Sequence, residues 1–419
     1  MKDSGVAWIG EIPETWTVKK IKYVSSLASD KNDYQNGPYI GLEDIESWTG
    51  RILSDDVRES IDSMVTSYTN QSVLFGKLRP YLAKVALPER SGQCSTEILA
   101  ITPDASMQRE YFGELLLCEP FIDMVNASTY GAKMPRAEWT FIGNSYIPVP
   151  SLDEQEKIAS AAERIGTKLQ HTIEETQKLI DKLTAYKQSL ITEAVTKGLH
   201  PEVARKDSGV SWIGEIPRTS IVVPLTKKIA QIVDYRGKTP EKVNDGIFLV
   251  TAKNIKDGII DYALSQEYIR PEDYDTVMSR GKPKIGDVLF TTEAPLGEVA
   301  NVDREDIALA QRVIKFTPTE EANPYYLKYW MMHQGFQQFL QSLSTGSTAA
   351  GIKASKLFML KMVLHPLDEQ RKIVSFLDAK CAAIDADIAR RRKLIERLSA
   401  YRRSLIYEVV TGKREVAGD

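Results

Sequence analysis

The sequence predicts an α+β protein in which two globular domains alternate with two long helices that pair as an antiparallel coiled coil, the whole arranged as a pseudo-twofold internal repeat. Three observations carry that reading. The stretch Lys2-Asp3-Ser4-Gly5-Val6-Ala7-Trp8-Ile9-Gly10-Glu11-Ile12-Pro13 returns as Lys206 to Pro217, changed only at Ala7 against Ser211. A second motif, Leu152-Asp153-Glu154-Gln155-Glu156-Lys157-Ile158, returns as Leu367-Asp368-Glu369-Gln370-Arg371-Lys372-Ile373. After each copy of this second motif comes a long proline-free stretch with apolar residues at steps of three and four, the signature of a helix with a narrow seam for a partner helix. The expected divisions are a first bracket and globular domain over 1–149, a long helix over 150–199, a linker, second bracket and second globular domain over 200–364, a second long helix over 365–413, and a tail over 414–419.

In chain order, residues 14–150 read as short mixed elements punctuated by Gly37-Pro38 and Gly92, with Tyr39-Ile40-Gly41-Leu42 and Ser72-Val73-Leu74-Phe75 as buried strands. From Tyr111 to Val125, residues Leu115, Leu116, Phe121, Ile122 and Val125 keep helical spacing, and Pro120 is placed to break or kink the helix. A helix from Asp153 to the Lys197-Gly198 stop would be roughly 65 Å long at ~1.5 Å per residue. Its seam is Ile158, Ala162, Ile165, Leu169, Ile173, Ile180, Leu183, Tyr186, Leu190 and Ala194, interrupted by Thr176. At an offset of 215 the second helix carries Ile373, Leu377, Ile384, Ile388, Ile395, Leu398, Tyr401, Leu405 and Val409, interrupted by Lys380 and Arg391. The brackets are offset by only 204, so the second globular domain has eleven more residues than the first. Faint echoes link the two domains: Val73-Leu74-Phe75-Gly76 with Val288-Leu289-Phe290-Thr291, Ile101-Thr102-Pro103 with Phe316-Thr317-Pro318, and Gly131 with Gly346. Trp8 and Trp212 are expected to be buried anchors, each bracket lying near the C-terminal end of the opposite helix.

Composition narrows the function. With 419 residues, 42% hydrophobic and 26% charged, the chain can build two or more cores. No apolar run approaches the ~20 residues needed to cross a bilayer, and no signal-like stretch opens the chain, so a cytoplasmic location is expected. Cys94, Cys118 and Cys381 are too scattered for a disulfide framework or a zinc site. The net charge of −3 excludes a uniformly basic, non-specific DNA binder, so any nucleic-acid surface must be a local patch. The four histidines, His171, His200, His333 and His365, are not at metal-ligand spacing and support no hydrolytic triad. Asn323-Pro324-Tyr325-Tyr326 lacks the second proline of an adenine-methylating loop and reads instead as a helix N-terminus. Gly237-Lys238-Thr239 imitates the end of a phosphate-binding loop, but Ile232 stands where the leading glycine belongs.

The ordered set of duplicated motifs resembles the DNA-specificity subunit of type I restriction-modification systems over nearly the whole chain. The likeness rests on Trp-Ile-Gly-Glu-Ile-Pro at Trp8 to Pro13 and Trp212 to Pro217, a divergent domain after each, and then Pro366-Leu367-Asp368-Glu369-Gln370 leading into the second long helix. The first copy departs by one residue, Ser151 standing between Pro150 and Leu152. The resemblance implies two target-recognition domains, each reading one half of a bipartite asymmetric site in double-stranded DNA, with the helix pair setting the spacer. It implies two modification (methyltransferase) subunits and restriction (translocase/nuclease) subunits as partners, and no membrane. S-adenosylmethionine, ATP and Mg belong to those partners; this chain is expected to hold no cofactor and to do no catalysis.

Reading DNA needs cations to hold phosphates and shaped polar groups to read base edges. In the first domain the candidates are Lys77, Arg79, Tyr81 and Lys84 after a strand, and Tyr130, Lys133 and Arg136 in a Gly- and Pro-bent basic loop. In the second they are Arg236 and Lys238, Thr291 and Thr292, Gln311 and Arg312, Thr345, Ser347 and Thr348, and Lys353. The run Arg390-Arg391-Arg392-Lys393, with Arg397, Arg402 and Arg403, reads as a solvated or partner-facing helix face. The competing reading is a structural or adaptor protein with two protein-binding domains on a coiled-coil spacer. A self-sufficient methyltransferase or nuclease is disfavoured by the missing motifs.

Overall fold

The computed structural model describes residues 1–129, 131, 133–235, 240–345 and 351–416. The chain divides into two compact units, Met1–Lys178 with Arg391–Asp419 and Leu179–Arg390. Each unit holds one globular domain together with a part of both long helices.

In the first unit the bracket is a small hairpin of β1 (Lys2–Asp3) and β2 (Glu11–Ile12). Asp3 Oδ1 accepts the Gly5 N–H and Ser4 Oγ accepts the Val6 N–H, while Gly5 and Gly10 both take φ of +71°. A side chain is strained in that left-handed region, which is why the motif keeps both glycines. The chain continues through β3 (Thr17–Lys20), β4 (Ser25–Leu27), β5 (Lys31–Asn32), β6 (Tyr39–Ile40), β7 (Val65–Tyr68), β8 (Val73–Gly76), β9 (Val85–Ala86), β10 (Gly92–Ser95) and β11 (Ile98–Pro103). Strands β4 to β11 form two four-stranded sheets, ordered β5-β7-β10-β6 and β4-β11-β8-β9. Helices α1 (Arg109–Leu117) and α2 (Glu119–Ala127) are separate, because Pro120 sits in the first turn of α2, where its missing N–H costs nothing. After α3 (Trp139–Asn144), β12 (Tyr146–Val149) pairs with β3 and leads into α4 (Leu152–Lys197). Ser151, the extra residue before this helix, caps it: its hydroxyl and N–H both donate to the Glu154 carboxylate, and its Oγ accepts the Glu154 N–H. These bonds, the Ser151 hydroxyl foremost, hold the Glu154 carboxyl below its ordinary value.

The second unit repeats the plan. Its bracket is β13 (Arg205–Asp207) and β14 (Glu215–Pro217), followed by β15 (Ile221–Pro224), β16 (Ile229–Asp234), β17 (Ile247–Val250), β18 (Ile255–Lys256), β19 (Ile259–Ile260) and β20 (Tyr268–Ile269). A single helical turn, α5 (Tyr274–Val277), precedes β21 (Val288–Thr292), β22 (Leu296–Asn301), β23 (Ile307–Leu309) and β24 (Val313–Pro318). Then come α6 (Pro324–Met332), α7 (Gln334–Leu343), β25 (Lys361–Leu364) and α8 (Leu367–Val410). The sheets run β16-β24-β21-β22 and β20-β17-β23. The predicted helix N-terminus is present: Asn323 Oδ1 caps the Tyr325 and Tyr326 N–H groups, with Pro324 as the first residue of α6.

The long helices pack against each other in antiparallel sense. In the first unit the start of α4 (Ile158, Ala161) shares a core with the end of α8 (Ile406, Val409, Val410) and with Trp8, Ile9, Tyr111 and Phe121. In the second, the end of α4 (Ile191, Ala194, Val195) shares one with the start of α8 (Ile373, Leu377, Cys381) and with Ile213, Ile216, Tyr326 and Trp330. Each bracket thus lies at the C-terminal end of the other module's helix. Trp8 is buried, its indole N–H donating to the Tyr146 carbonyl, whereas Trp212 is only partly buried: it packs against the second core, stacked on Phe339 and His333. The seam also differs from the expected row. Tyr186 and Tyr401 are more than half exposed and Lys380 faces solvent, while Thr176, Cys381 and Arg402 are buried in their stead. The cause is the mismatch between 3.6 residues per turn and a heptad, which rotates the contact line along a helix of this length. Gly166 faces Arg402, since a β-carbon there would stand 3.4 Å from Nη2.

Two polar locks recur at an offset of 215. Gln155, fully buried, accepts the Gln108 N–H at 2.7 Å and donates to the Ser106 and Pro150 carbonyls. Gln370 accepts the Asn323 N–H at 2.8 Å and donates to Glu321 and His365. Tyr111 donates to the Pro148 and Val410 carbonyls, and Tyr326 to those of Val363 and Val195. The glutamine of the second repeated motif is therefore a buried latch between a long helix and its globular domain.

Candidate nucleic-acid interface

The expected recognition loops of the first domain come together around the end of β8. The Lys77 N–H donates to Glu97 O at 2.9 Å, the Ala137 N–H to Lys77 O at 2.9 Å and the Arg79 N–H to Pro135 O at 2.8 Å, with Leu78 bridging Arg136. Segments 77–84 and 133–136, far apart in sequence, thus form one surface. Arg79, Tyr81, Lys133 and Arg136 are exposed on it and Lys77 is half-buried. Lys84 is corrected: its ammonium points inward and donates to the Leu42 and Ile45 carbonyls at 2.6 and 2.8 Å, so it braces the domain instead of facing a phosphate.

The second domain builds the same surface on the same backbone. The Thr292 N–H donates to Arg312 O at 2.9 Å, the Ile352 N–H to Thr292 O at 3.0 Å, and Glu293 bridges Gly351, each bond shifted by 215 from its counterpart. Arg312 and Lys353 are exposed and Gln311 is half-buried. Thr345 is exposed, its backbone paired with Gly351. Thr291 and Thr292 are corrected. They end β21 instead of forming a loop, both are buried, and their hydroxyls are used internally, Thr291 Oγ1 accepting the Glu298 N–H and Thr292 Oγ1 donating to Arg312 O. Tyr130, Arg236, Lys238, Ser347 and Thr348, the Gly237-Lys238-Thr239 segment and the Gly346 echo lie outside the described residues.

Among the described residues each surface carries one ion pair. Arg136 Nε donates to Glu97 Oε2 at 2.9 Å and Oε1 at 3.2 Å, and the carboxylate raises the guanidinium further above its ordinary value. Arg312 Nε lies 3.0 Å from Glu293 Oε1. Positions 97 and 312 are equivalent, so the charges are exchanged: the structural position that is acidic in one domain is basic in the other. Sequence reasoning missed Glu97, which is visible only once the offset of 215 sets it against Arg312.

Beneath the loops the domains also differ. Lys315 and Asp287, both buried, pair at 2.7 Å with Thr317 donating to the same carboxylate. The first domain has Ser72 and Thr102, 3.0 Å apart, at the positions of Asp287 and Thr317. Of the basic run on α8, Arg390 pairs with Asp387. Arg402 donates to Trp48 O at 2.9 Å and Arg403 lies over the Trp48 ring while pairing with Glu119. Burial pushes the Glu114 carboxyl up, with Arg402 drawing it back down. The three cysteines are buried thiols, and burial pushes Cys94 up to about 12. Among the described residues no cluster of His, Cys, Asp or Glu could hold a metal ion, and no helix is long and apolar enough to cross a membrane.

Comparison with known proteins agrees with this geometry. Residues 227–397 match the family described as type I restriction modification DNA specificity domain. The type I restriction enzyme MjaVIII specificity subunit of Methanocaldococcus jannaschii is 25% identical over 427 aligned residues, covering 97% of this chain and 94% of the relative. The EcoDI specificity subunit of Escherichia coli is 24% identical over 192 residues, 44% of this chain and 42% of the relative. A chain solved in work on complex assembly and conformational transition of the type I R-M system shares the fold, with a TM-score of 0.72 at 18% identity, over 96% of this chain and 100% of that one. The resemblance drawn from the duplicated motifs therefore holds: residues 227–397 match the DNA-specificity domain of type I restriction-modification systems, and nearly the whole chain is similar to specificity subunits of that kind.

Proposed function

We propose that each globular domain reads one half of a bipartite, asymmetric site in double-stranded DNA, and that the pair of long helices sets the spacer and docks two methyltransferase subunits. The observation that carries this is the pair of loop surfaces: one backbone scaffold, hydrogen bond for hydrogen bond, presenting Lys77, Arg79, Lys133 and Arg136 in one domain and Gln311, Arg312 and Lys353 in the other. A duplicated scaffold with unlike side chains suits two different base sequences. In this reading the chain does no chemistry itself. Adenine methylation with S-adenosylmethionine, and translocation and cleavage with ATP and Mg, belong to modification and restriction partners, and the complex works in the cytoplasm.

The test is domain exchange. Replacing residues 14–147 with the equivalent segment of a different specificity subunit, then mapping methylated sites in cells that carry the partner subunits, should change one half of the recognised sequence. A change in both halves, or in neither, would refute the division of labour.

A further inference from the structure

Resting on the reading of each domain as the reader of one half-site, we propose that Arg136 and Arg312 are the guanine-reading residues of the two half-sites, with Glu97 and Glu293 as the positioning residues that aim them. Both arginines are about half exposed, with side-chain exposures of 45% and 48%, on surfaces assembled by equivalent backbone bonds. Arg136 Nε donates to both Glu97 carboxylate oxygens, and Arg312 is ion-paired through the same atom, its Nε 3.0 Å from Glu293 Oε1. Among the described residues the two terminal nitrogens of each have no partner. A carboxylate at Nε fixes the plane of the guanidinium and leaves the Nη1/Nη2 edge as a fork of parallel donors, which fits the O6 and N7 acceptors of guanine in the major groove.

Pairs in this structure that only brace a loop are built differently. Arg90 offers Nε and Nη2 together to Asp55, and Arg304 does the same to Asp306, so that the carboxylate takes up the side-on fork. The exchange of charge between domains supports a reading role as well. The acidic partner moves from position 97 in the first domain to Glu293 in the second, and the arginine from the 133–136 segment to the residue just before β24. The carboxylate stays beside Nε while the guanidinium is presented from a different segment. The carboxylate has a second effect, since its charge opposes capture of the arginine by any phosphate and so favours base contact over non-specific binding.

The experiment uses the full complex with its modification subunits, selecting bound duplexes from a randomised pool and measuring binding to a matched and a scrambled duplex. Arg136→Ala should abolish the preference for guanine at one position of one half-site, a loss of roughly five- to hundredfold in discrimination, and Arg312→Ala should do so only in the other half. Arg136→Lys should keep the affinity for scrambled DNA yet lose most of the discrimination, because a point charge cannot make the paired contact. Glu97→Gln and Glu293→Gln should raise affinity for scrambled DNA and lower the specific-to-scrambled ratio, a readout that a purely structural role would not move. Unaltered base preference in both alanine variants, or relaxation at a position that is not guanine, would overturn the assignment while leaving the two-half-site reading intact. An unmodified complex that selects no sequence at all would overturn both.

Discussion

Gln155 and Gln370 show how one side chain can fasten a helix to a domain. Each satisfies one backbone N–H and two carbonyls that would otherwise be buried without partners. Leaving such groups unpaired costs about 1–3 kcal/mol apiece. Gln370→Ala is therefore expected to lower stability by about 3 kcal/mol or more, seen as a lower urea midpoint with an unchanged slope; a loss under about 1 kcal/mol would refute the latch. His333 and His365 give the second unit a pH dependence. Burial pushes His333 down to about 3, and burial also lowers His365 against the pull of the Val195 carbonyl. Unfolded, both titrate near ~6.5, so below that pH the unfolded chain binds protons the folded chain refuses. Stability should be full above pH ~6.5 and fall as pH drops, by about 1 kcal/mol near pH 5.5 for His333, with His365 contributing in the same direction. His333→Asn, which can still cap the Gly335 and Phe336 N–H groups now held by Nδ1, should reduce that slope in urea unfolding at pH 7 and 5.5; an unchanged slope would remove His333 from the account. At this scale the sequence was a partial guide. Exposed loop cations such as Arg79, Lys133 and Arg312 could be picked out by residue type and neighbouring Gly and Pro. The inward turn of Lys84 and the burial of Thr291 and Thr292 could not, because tertiary hydrogen bonds to distant backbone decide them.

Among the elements, α4 and α8 were the most legible, since period, length and duplication all pointed the same way. The sheets were not. Strands of two to six residues carry too little periodicity to be separated from turns, and β21 runs two residues beyond the apolar core of its motif because β22 folds back on it. The seam was legible in outline but drifted, as Cys381 and Arg402 in place of Lys380 and Tyr401 demonstrate. If the helix pair is a ruler, its length should be adjustable. Inserting one heptad into each helix, between Lys178 and Leu179 and between Arg390 and Arg391, keeps the apolar repeat in phase and adds about 10.5 Å. Sites selected from duplexes with randomised spacers should then have a spacer longer by about three base pairs, at ~3.4 Å each. An unchanged spacer would end the ruler hypothesis.

For the molecule as a whole, a net charge of −3 means that any attraction for DNA must come from the local cations of the two loop surfaces. The logarithm of affinity should fall linearly with the logarithm of salt concentration, with a slope near −0.9 for each phosphate neutralised. Lys133→Ala, at an exposed cation not assigned to a base, should reduce the slope by about 1 without altering sequence preference. Salt-independent association with a protein in place of DNA would instead favour the adaptor reading. The overall plan was legible because duplication is a property of the whole chain, whereas the bases to be read depend on the geometry of a few loop atoms.

The loops of both domains share a frame of main-chain bonds: Lys77 to Glu97, Ala137 to Lys77, Thr292 to Arg312, Ile352 to Thr292. Main-chain bonds are indifferent to which side chain a position carries, so mutations that rewrite specificity there draw little on the stability held by the buried latches and cores. A lineage built this way can drift through new target sequences while each intermediate still folds, which makes variability of address, and not merely one address, an inherited property of the scaffold.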